Sequence, residues 1–197
     1  MPDNSIPDER NGQRELDAEA IRRTLAGETD AFAALVARYE RMVYNLAYSR
    51  TGSREDALDA SQECFLRAWR ALPSFRLDSS FPTWLYRICL NHVLDGYRKK
   101  KRRGGETDLD QAQAVAADSR YDPQEAVAAD ERAEAVRRAI RQLPEDHRTI
   151  IVMRDMEDMT YAQIGEALGL GEGTVKSRLN RARASLRKLL ENDGELF

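Results

Sequence analysis

From Asp30 to Ser49 the apolar residues fall at steps of three and four, with Phe32, Leu35, Val36, Tyr39, Val43 and Leu46 on one side. That period predicts an amphipathic helix. Thr51-Gly52-Ser53 breaks it, and Ser53 stands as an N-cap for a second helix with acids in its first turn and Leu58, Phe65, Trp69 and Leu72 on one stripe. Pro73 ends that helix. After the loop "SFRLDSS", residues 81–100 read as a third helix in which Trp84, Leu85, Tyr86, Ile88, Leu90, Val93, Leu94 and Tyr97 cover most of the surface. One stripe of it stays polar: Thr83, Arg87, Asn91, Asp95 and Arg98. Further on, Val136, Ile140 and Leu143 share a face, Pro144 starts a new helix, and Ile150, Ile151 and Met153 lie in its interior. No run alternates valine, isoleucine, threonine and aromatics as a strand would. The expected fold class is all-α.

The pattern is most informative after Thr160, which can cap a short helix, "YAQIGEALG". Ile164 and Leu168 point inward, Gly165 is small enough for a close helix contact, and Gly169 supplies a turn. Leu170 plugs the corner, and Val175 opens an apolar stripe continued by Leu179, Ala182, Leu186 and Leu189 or Leu190. Helix, glycine turn and helix at this spacing form a DNA-reading pair. Projection of the second helix at about 100° per residue puts Ser177, Asn180, Arg181 and Ala184 opposite Val175 and Leu179. Asn and Arg reach adenine and guanine edges in bidentate fashion and Ser serves either, so Ser177, Asn180 and Arg181 are candidate base readers. Lys176, Arg178, Arg183, Arg187 and Lys188 flank them at phosphate-reaching positions. An ordinary surface helix with solvated arginines has a similar composition; the preceding turn favours DNA.

Charge sharpens this picture. The 197 residues carry a formal net charge of -3, but the charge is segregated. Residues 85–103 hold seven bases against one acid, whereas residues 104–135 hold nine acids against two arginines. A basic block on an acidic chain suits a polyanion, since neutralising phosphates releases condensed counterions; it also suits a solvated linker. Residues 1–19, with six acids and two bases, are expected to be an acidic, disordered tail. Residues 104–130, with Gly104-Gly105, many alanines and acids and Pro123, read as a linker allowing a helical turn or two. The chain is thus expected to hold two small helical domains, residues 20–103 and 131–192. The start is polar rather than basic and apolar, and no window reaches about 18 uninterrupted apolar residues. A soluble cytoplasmic protein without membrane insertion is expected. Cys64 and Cys89 fall inside predicted helices, which makes buried reduced thiols the default, and the Cys89–His92 pair supplies too few ligands for zinc.

Two stretches in this order, "DALDASQECFLRAWRALPSFRLDSSFPTWLYRICLNHVLDGYRKKKRR" and "LPEDHRTIIVMRDMEDMTYAQIGEALGLGEGTVKSRLNRARASLRKLL", resemble the extracytoplasmic-function (ECF) group of bacterial sigma factors over about residues 20–190. The resemblance implies a promoter-specificity subunit of RNA polymerase without catalytic residues, cofactor or metal. The N-terminal domain matches sigma region 2 and the C-terminal domain sigma region 4. It implies that the helix over residues 54–72 docks on the clamp of the largest polymerase subunit through Asp56, Asp59, Gln62 and Glu63, where Asp59 and Gln62 match a D-x-x-Q pattern. The same face also reads as an ordinary wet helix surface. The flap of the second-largest subunit is the implied partner of the C-terminal domain. "RLDSS" matches the element that melts and reads the minus-10 sequence, so Leu77, Asp78, Ser79 and Ser80 would shape a pocket for flipped bases. Arg87, Asn91, Arg98 and the run over residues 99–103 would track the strand. Trp84, on a mostly apolar helix, is assigned to the core. The C-terminal helix would read the minus-35 element through Lys176, Ser177, Arg178, Asn180, Arg181 and Arg183. An anti-sigma partner is implied as well.

The alternative is a stand-alone helix-turn-helix regulator, which would bind a palindromic site without polymerase. An enzyme acting on nucleic acid fits poorly, because His92 and His147 lack an evident carboxylate or nucleophile constellation and no phosphate-cradling glycine loop is present.

Overall fold

The computed structural model describes residues 7–76, 78–102 and 123–192, with side chains over 11–76, 78–93 and 132–191. These residues form helices α1 (Pro7–Leu25), α2 (Asp30–Thr51), α3 (Arg54–Ala71), α4 (Phe81–Arg102), α5 (Pro123–Gln142), α6 (Glu145–Ile151), α7 (Tyr161–Leu168) and α8 (Glu172–Asn192). A 3-10 turn, Leu72–Ser74, follows α3, and a π-helical turn, Val152–Met156, follows α6. There is no strand among the described residues, and none of their helices is long and apolar enough to cross a membrane.

The front module is organised on α2, which packs against α1, α3 and α4. Leu35, Val43 and Leu46 of α2 meet Cys64 and Phe65 of α3 and Leu85, Tyr86 and Cys89 of α4 in one buried cluster. Trp84 is buried there too, its ring 4.9 Å from Phe75 and 5.6 Å from Phe81. The core assignment of Trp84 therefore holds. Cys64 and Cys89 are free and buried. Burial, followed by a hydrogen bond with Cys64, pushes the Cys89 thiol well above its ordinary range, so it packs as an unreactive apolar group.

The ends of these helices follow from their sequence. Ser53 caps α3 by accepting from the Asp56 backbone N–H at 3.3 Å. Thr160 and Gln163 close a reciprocal capping box on α7. Gly169, at φ 67°, ends α7 in the left-handed region that an L side chain resists. Gly165 is required for a tighter reason: a Cβ there would lie 2.5 Å from the Leu170 carbonyl oxygen. It is the turn's own backbone, rather than a neighbouring helix, that needs the space.

Four expectations change. Residues 7–19 are helical, within α1, where an acidic disordered tail was expected. Asp17 is buried and takes hydrogen bonds from Arg38 and Tyr39, each at 2.5 Å, so a tertiary ion pair anchors the polar segment. Burial, then the hydrogen bond to Asp17, pushes the Tyr39 phenol far above its ordinary value. Second, α5 starts at Pro123, inside the stretch read as linker. Third, the buried face of α3 consists of Ala57, Ser61, Cys64, Phe65 and Ala68, while Leu58 and Leu66 stay about half exposed. Small residues let α3 approach its neighbours closely and turn the larger leucines outward. Fourth, Thr83 is buried instead of lying on the wet stripe of α4; its hydroxyl pairs with that of Ser80 at 2.7 Å.

The rear module packs α8 against α5, α6 and α7. Leu143, Ile150, Ile151, Met153, Ile164, Val175 and Leu179 are almost wholly buried. The two modules also touch, α7 against α4, and α5 and the π turn against α2. Asn45 donates to Glu157 at 2.8 Å, Arg148 donates to the Ser49 carbonyl at 3.2 Å, and buried Arg50 donates to the Thr149 hydroxyl.

Candidate nucleic-acid interface

The apolar stripe of α8 determines what the helix can present. With Val175, Leu179 and Ala182 fully buried, Lys176, Ser177, Asn180, Arg181 and Arg183 are exposed and Arg178 is half-buried. The Ser177 hydroxyl donates to the Thr174 carbonyl at 3.0 Å, which leaves its lone pairs as acceptors. Two of the flanking bases are engaged within the module. Arg178 pairs with Asp146 of α6 at 3.0 Å, and Arg183 makes a two-point pair with Asp155 in the π turn, one arm at 3.1 Å. Exposed pairs of this kind are worth only about 0–1 kcal/mol, so a phosphate can displace the carboxylate. Asp146 and Asp155 hold the two guanidiniums in place beside the candidate reading residues.

A smaller cleft lies in the front module. Asp78, Ser79, Ser80, Phe75 and Phe81 line a space of 240 Å³ together with Arg14, Asp17, Ala18 and Ile21 of α1. That is below the roughly 300–1,000 Å³ of pockets that enclose drug-sized ligands, and it suits one base-sized group. Asp78 is exposed and Ser79 half-buried. Ser80 is buried, and its oxygen accepts from the Thr83 backbone N–H at 3.4 Å, so it serves as the N-cap of α4 and sits less open in the cleft than its neighbours. Leu77, Arg103 and the side chains of Arg98 and of residues 99–102 lie outside the described residues. Arg87 and Asn91 are exposed one turn apart on α4 and are not in the cleft wall. The share of α1 in this wall was not legible in sequence, because its acids and arginines read as a solvated tail.

The third surface is the outward face of α3. Asp59 and Gln62 are exposed, Asp56 and Glu63 are half-buried, and Glu63 accepts from Arg67 at 2.8 Å. Beside them stand Leu58, Leu66 and Trp69, which are 47%, 49% and 36% exposed. Trp69 keeps one edge against Phe32, with ring centroids 5.0 Å apart. Residues 58, 62, 66 and 69 follow helical spacing, so the leucines and the tryptophan form one stripe through the polar residues. Sequence reasoning assigned Leu58 and Trp69 to the core and missed this stripe; the many small residues on the opposite face were the available signal.

Apart from the α1 wall of the cleft, these surfaces fall within two known sequence families. Residues 35–103 match Sigma-70 region 2 and residues 133–186 match Sigma-70 region 4. Over 179 residues the chain is 36% identical to the ECF RNA polymerase sigma factor SigW of Bacillus subtilis, covering 87% of this chain and 95% of the relative. It is also 36% identical over 176 residues to the ECF RNA polymerase sigma-E factor of Escherichia coli K12, covering 86% and 92%. Among solved structures, CnrH in complex with the cytosolic domain of CnrY matches with a TM-score of 0.64 at 29% identity, over 91% of this chain and 97% of that one. The sigma factor RpoE of Bartonella quintana, solved with the anti-sigma factor NepR, shares the fold with a TM-score of 0.65 at 24% identity, over 81% and 96%.

Proposed function

Because this chain belongs to the extracytoplasmic-function sigma factors, we propose that its three surfaces divide promoter recognition between them: α3 holds core polymerase, the α1–α4 cleft takes the opened minus-10 strand, and α8 reads the minus-35 duplex. The chain is an RNA polymerase sigma factor, and it directs core enzyme to promoters. The observation that carries the division is the mixed face of α3, on which half-exposed Leu58, Leu66 and Trp69 run beside Asp59 and Gln62. A folded domain gains by burying such side chains, and leaving a stripe of them in water beside charged residues marks a protein contact.

Opening a duplex costs a few kcal/mol per flipped base, and capture of the base can offset it. The cleft beside Asp78 and Ser79 has the size for one base, and Arg87 and Asn91 continue from it along α4 as contacts for the strand. On α8, Asn180 supplies a donor and an acceptor and Arg181 two donors for base edges in an intact major groove, and Lys176, Arg178 and Arg183 supply phosphate contacts. Promoter elements read at two places require the modules to part. The twenty residues between α4 and α5 could span at most roughly 70 Å at about 3.5 Å per residue, which gives ample reach. The similar protein CnrH is solved in complex with the cytosolic domain of CnrY, which supports a protein partner here too, proposed to be an anti-sigma factor.

The proposal is tested by core-enzyme binding and promoter discrimination measured on the same variants. Leu66→Ala with Gln62→Ala should weaken binding to core polymerase at least tenfold while the fold is kept. Asn180→Ala with Arg181→Ala should leave core binding intact and abolish preference for the native over a scrambled minus-35 element. Wild-type core binding by the α3 variant would overturn the role of that face.

A further inference from the structure

The contact between the modules leaves a cleft of 530 Å³ between α2 and α5, flanked by Met156. Its wall carries Arg41, Tyr44 and Tyr48 from α2 and Glu134, Arg137 and Arg141 from α5, so three guanidiniums face one carboxylate. Glu134 accepts from Arg137 at 3.2 Å and from Arg141 at 3.1 Å, which orients both and leaves the wall with an excess of positive charge. The Arg141 side chain is only 8% exposed and lies 5.4 Å over the Tyr48 ring. Its Nη1 is shielded from solvent and has no acceptor among the described residues, and the Tyr44 hydroxyl is in the same position. Burial raises the Tyr44 phenol above its ordinary value, so it stays a donor. Buried donors normally find partners, and two orphans in the wall of one cationic cleft mark a missing acceptor.

We infer that this cleft binds a small organic anion through a phosphate or carboxylate group, which accepts from Arg141 and Tyr44 and bridges the two modules. Charge-assisted hydrogen bonds are the strong ones, and guanidinium matches both kinds of oxyanion. Since α2 and α5 each supply half of the wall, the anion binds only while the modules are packed, and by mass action it favours that arrangement. The binding is independent of the promoter-reading proposal. Only its consequence, a ligand that opposes engagement of two promoter elements, rests on that reading.

Calorimetric titration of the full chain at about 0.15 M salt tests it, because screening there suppresses loose surface attraction. The probes are inorganic phosphate, adenosine 5′-monophosphate and citrate. Saturable one-to-one binding is expected for the phosphate pair if the group is a phosphate and for citrate if it is a carboxylate. Arg141→Met should weaken it at least tenfold. Tyr44→Phe, which removes a single hydroxyl and preserves packing, should weaken it several-fold, whereas Arg22→Ala on the exposed side of α1 should leave it unchanged. The inference is overturned if no probe saturates the wild type, if Tyr44→Phe binds as the wild type does, or if Arg22→Ala weakens binding as much as the cleft variants.

Discussion

The candidate nucleic-acid surfaces of the two modules are of opposite kinds. On the rear module the candidate site is one face of one helix, and the side chains that would read bases follow directly from which residues of α8 are buried. On the front module the candidate site is a cleft between α1, the loop before α4 and the start of α4, so no single element contains it. A site on one helix inherits the 3.6-residue period and can be projected from the chain. A site between elements exists only after they pack.

This contrast can be attacked first through the core that orients α8. Leu179 is fully buried, and Leu179→Ala should cost about 2–5 kcal/mol in chemical unfolding. If stability is retained, the stripe that fixes the outward face is wrong. Next in size are the candidate readers. Asn180→Ala and Arg181→Ala should each cost about 1–3 kcal/mol of discrimination at a single base pair, with unfolding stability unchanged, as read by competition binding with single-base promoter variants. A uniform loss across sequences would make them phosphate contacts instead. On α3, Leu58→Ala should change folding stability by less than about 0.5 kcal/mol because the side chain is half exposed, yet lower affinity for core enzyme. A large stability loss with unchanged core affinity would return Leu58 to the core.

The smallest effect concerns the contact between the modules. Burial holds the Glu157 carboxyl above its ordinary value of 4.5, outweighing the Asn45 hydrogen bond and the Arg41 charge. Its neutral form is therefore favoured when the modules are packed. The associated stabilisation is fully present below 4.5 and is lost as the pH rises through the raised value. Melting followed from pH 4.5 to 7 should show the wild type gaining stability toward the acid end of that window relative to Glu157→Gln. Parallel curves would remove Glu157 from the contact.

Much of the fold was legible because period and punctuation agree. Ser53, Thr160 and Gly169 cap or end helices where the sequence places them, and Val175, Leu179 and Ala182 are the residues α8 buries. The failures share a cause. Asp17 is held by Arg38 and Tyr39, more than twenty positions away, and no local pattern announces such a pair. Leu58 and Trp69 were assigned inward on hydrophobicity, yet Ala57, Ser61 and Ala68 win the interior because they allow closer packing. Thr83 looked solvated until Ser80 engaged it as a cap. The outward leucines are where the local rule and the packing disagree, and that disagreement coincides with the proposed partner surface.

Run-off transcription with purified core enzyme, on the promoter upstream of this protein's own gene, tests the central claim most directly. The account predicts a discrete transcript only when core enzyme and this chain are both present, and its loss when either the minus-10 or the minus-35 element is scrambled. A transcript level no higher than that of core enzyme alone would contradict it.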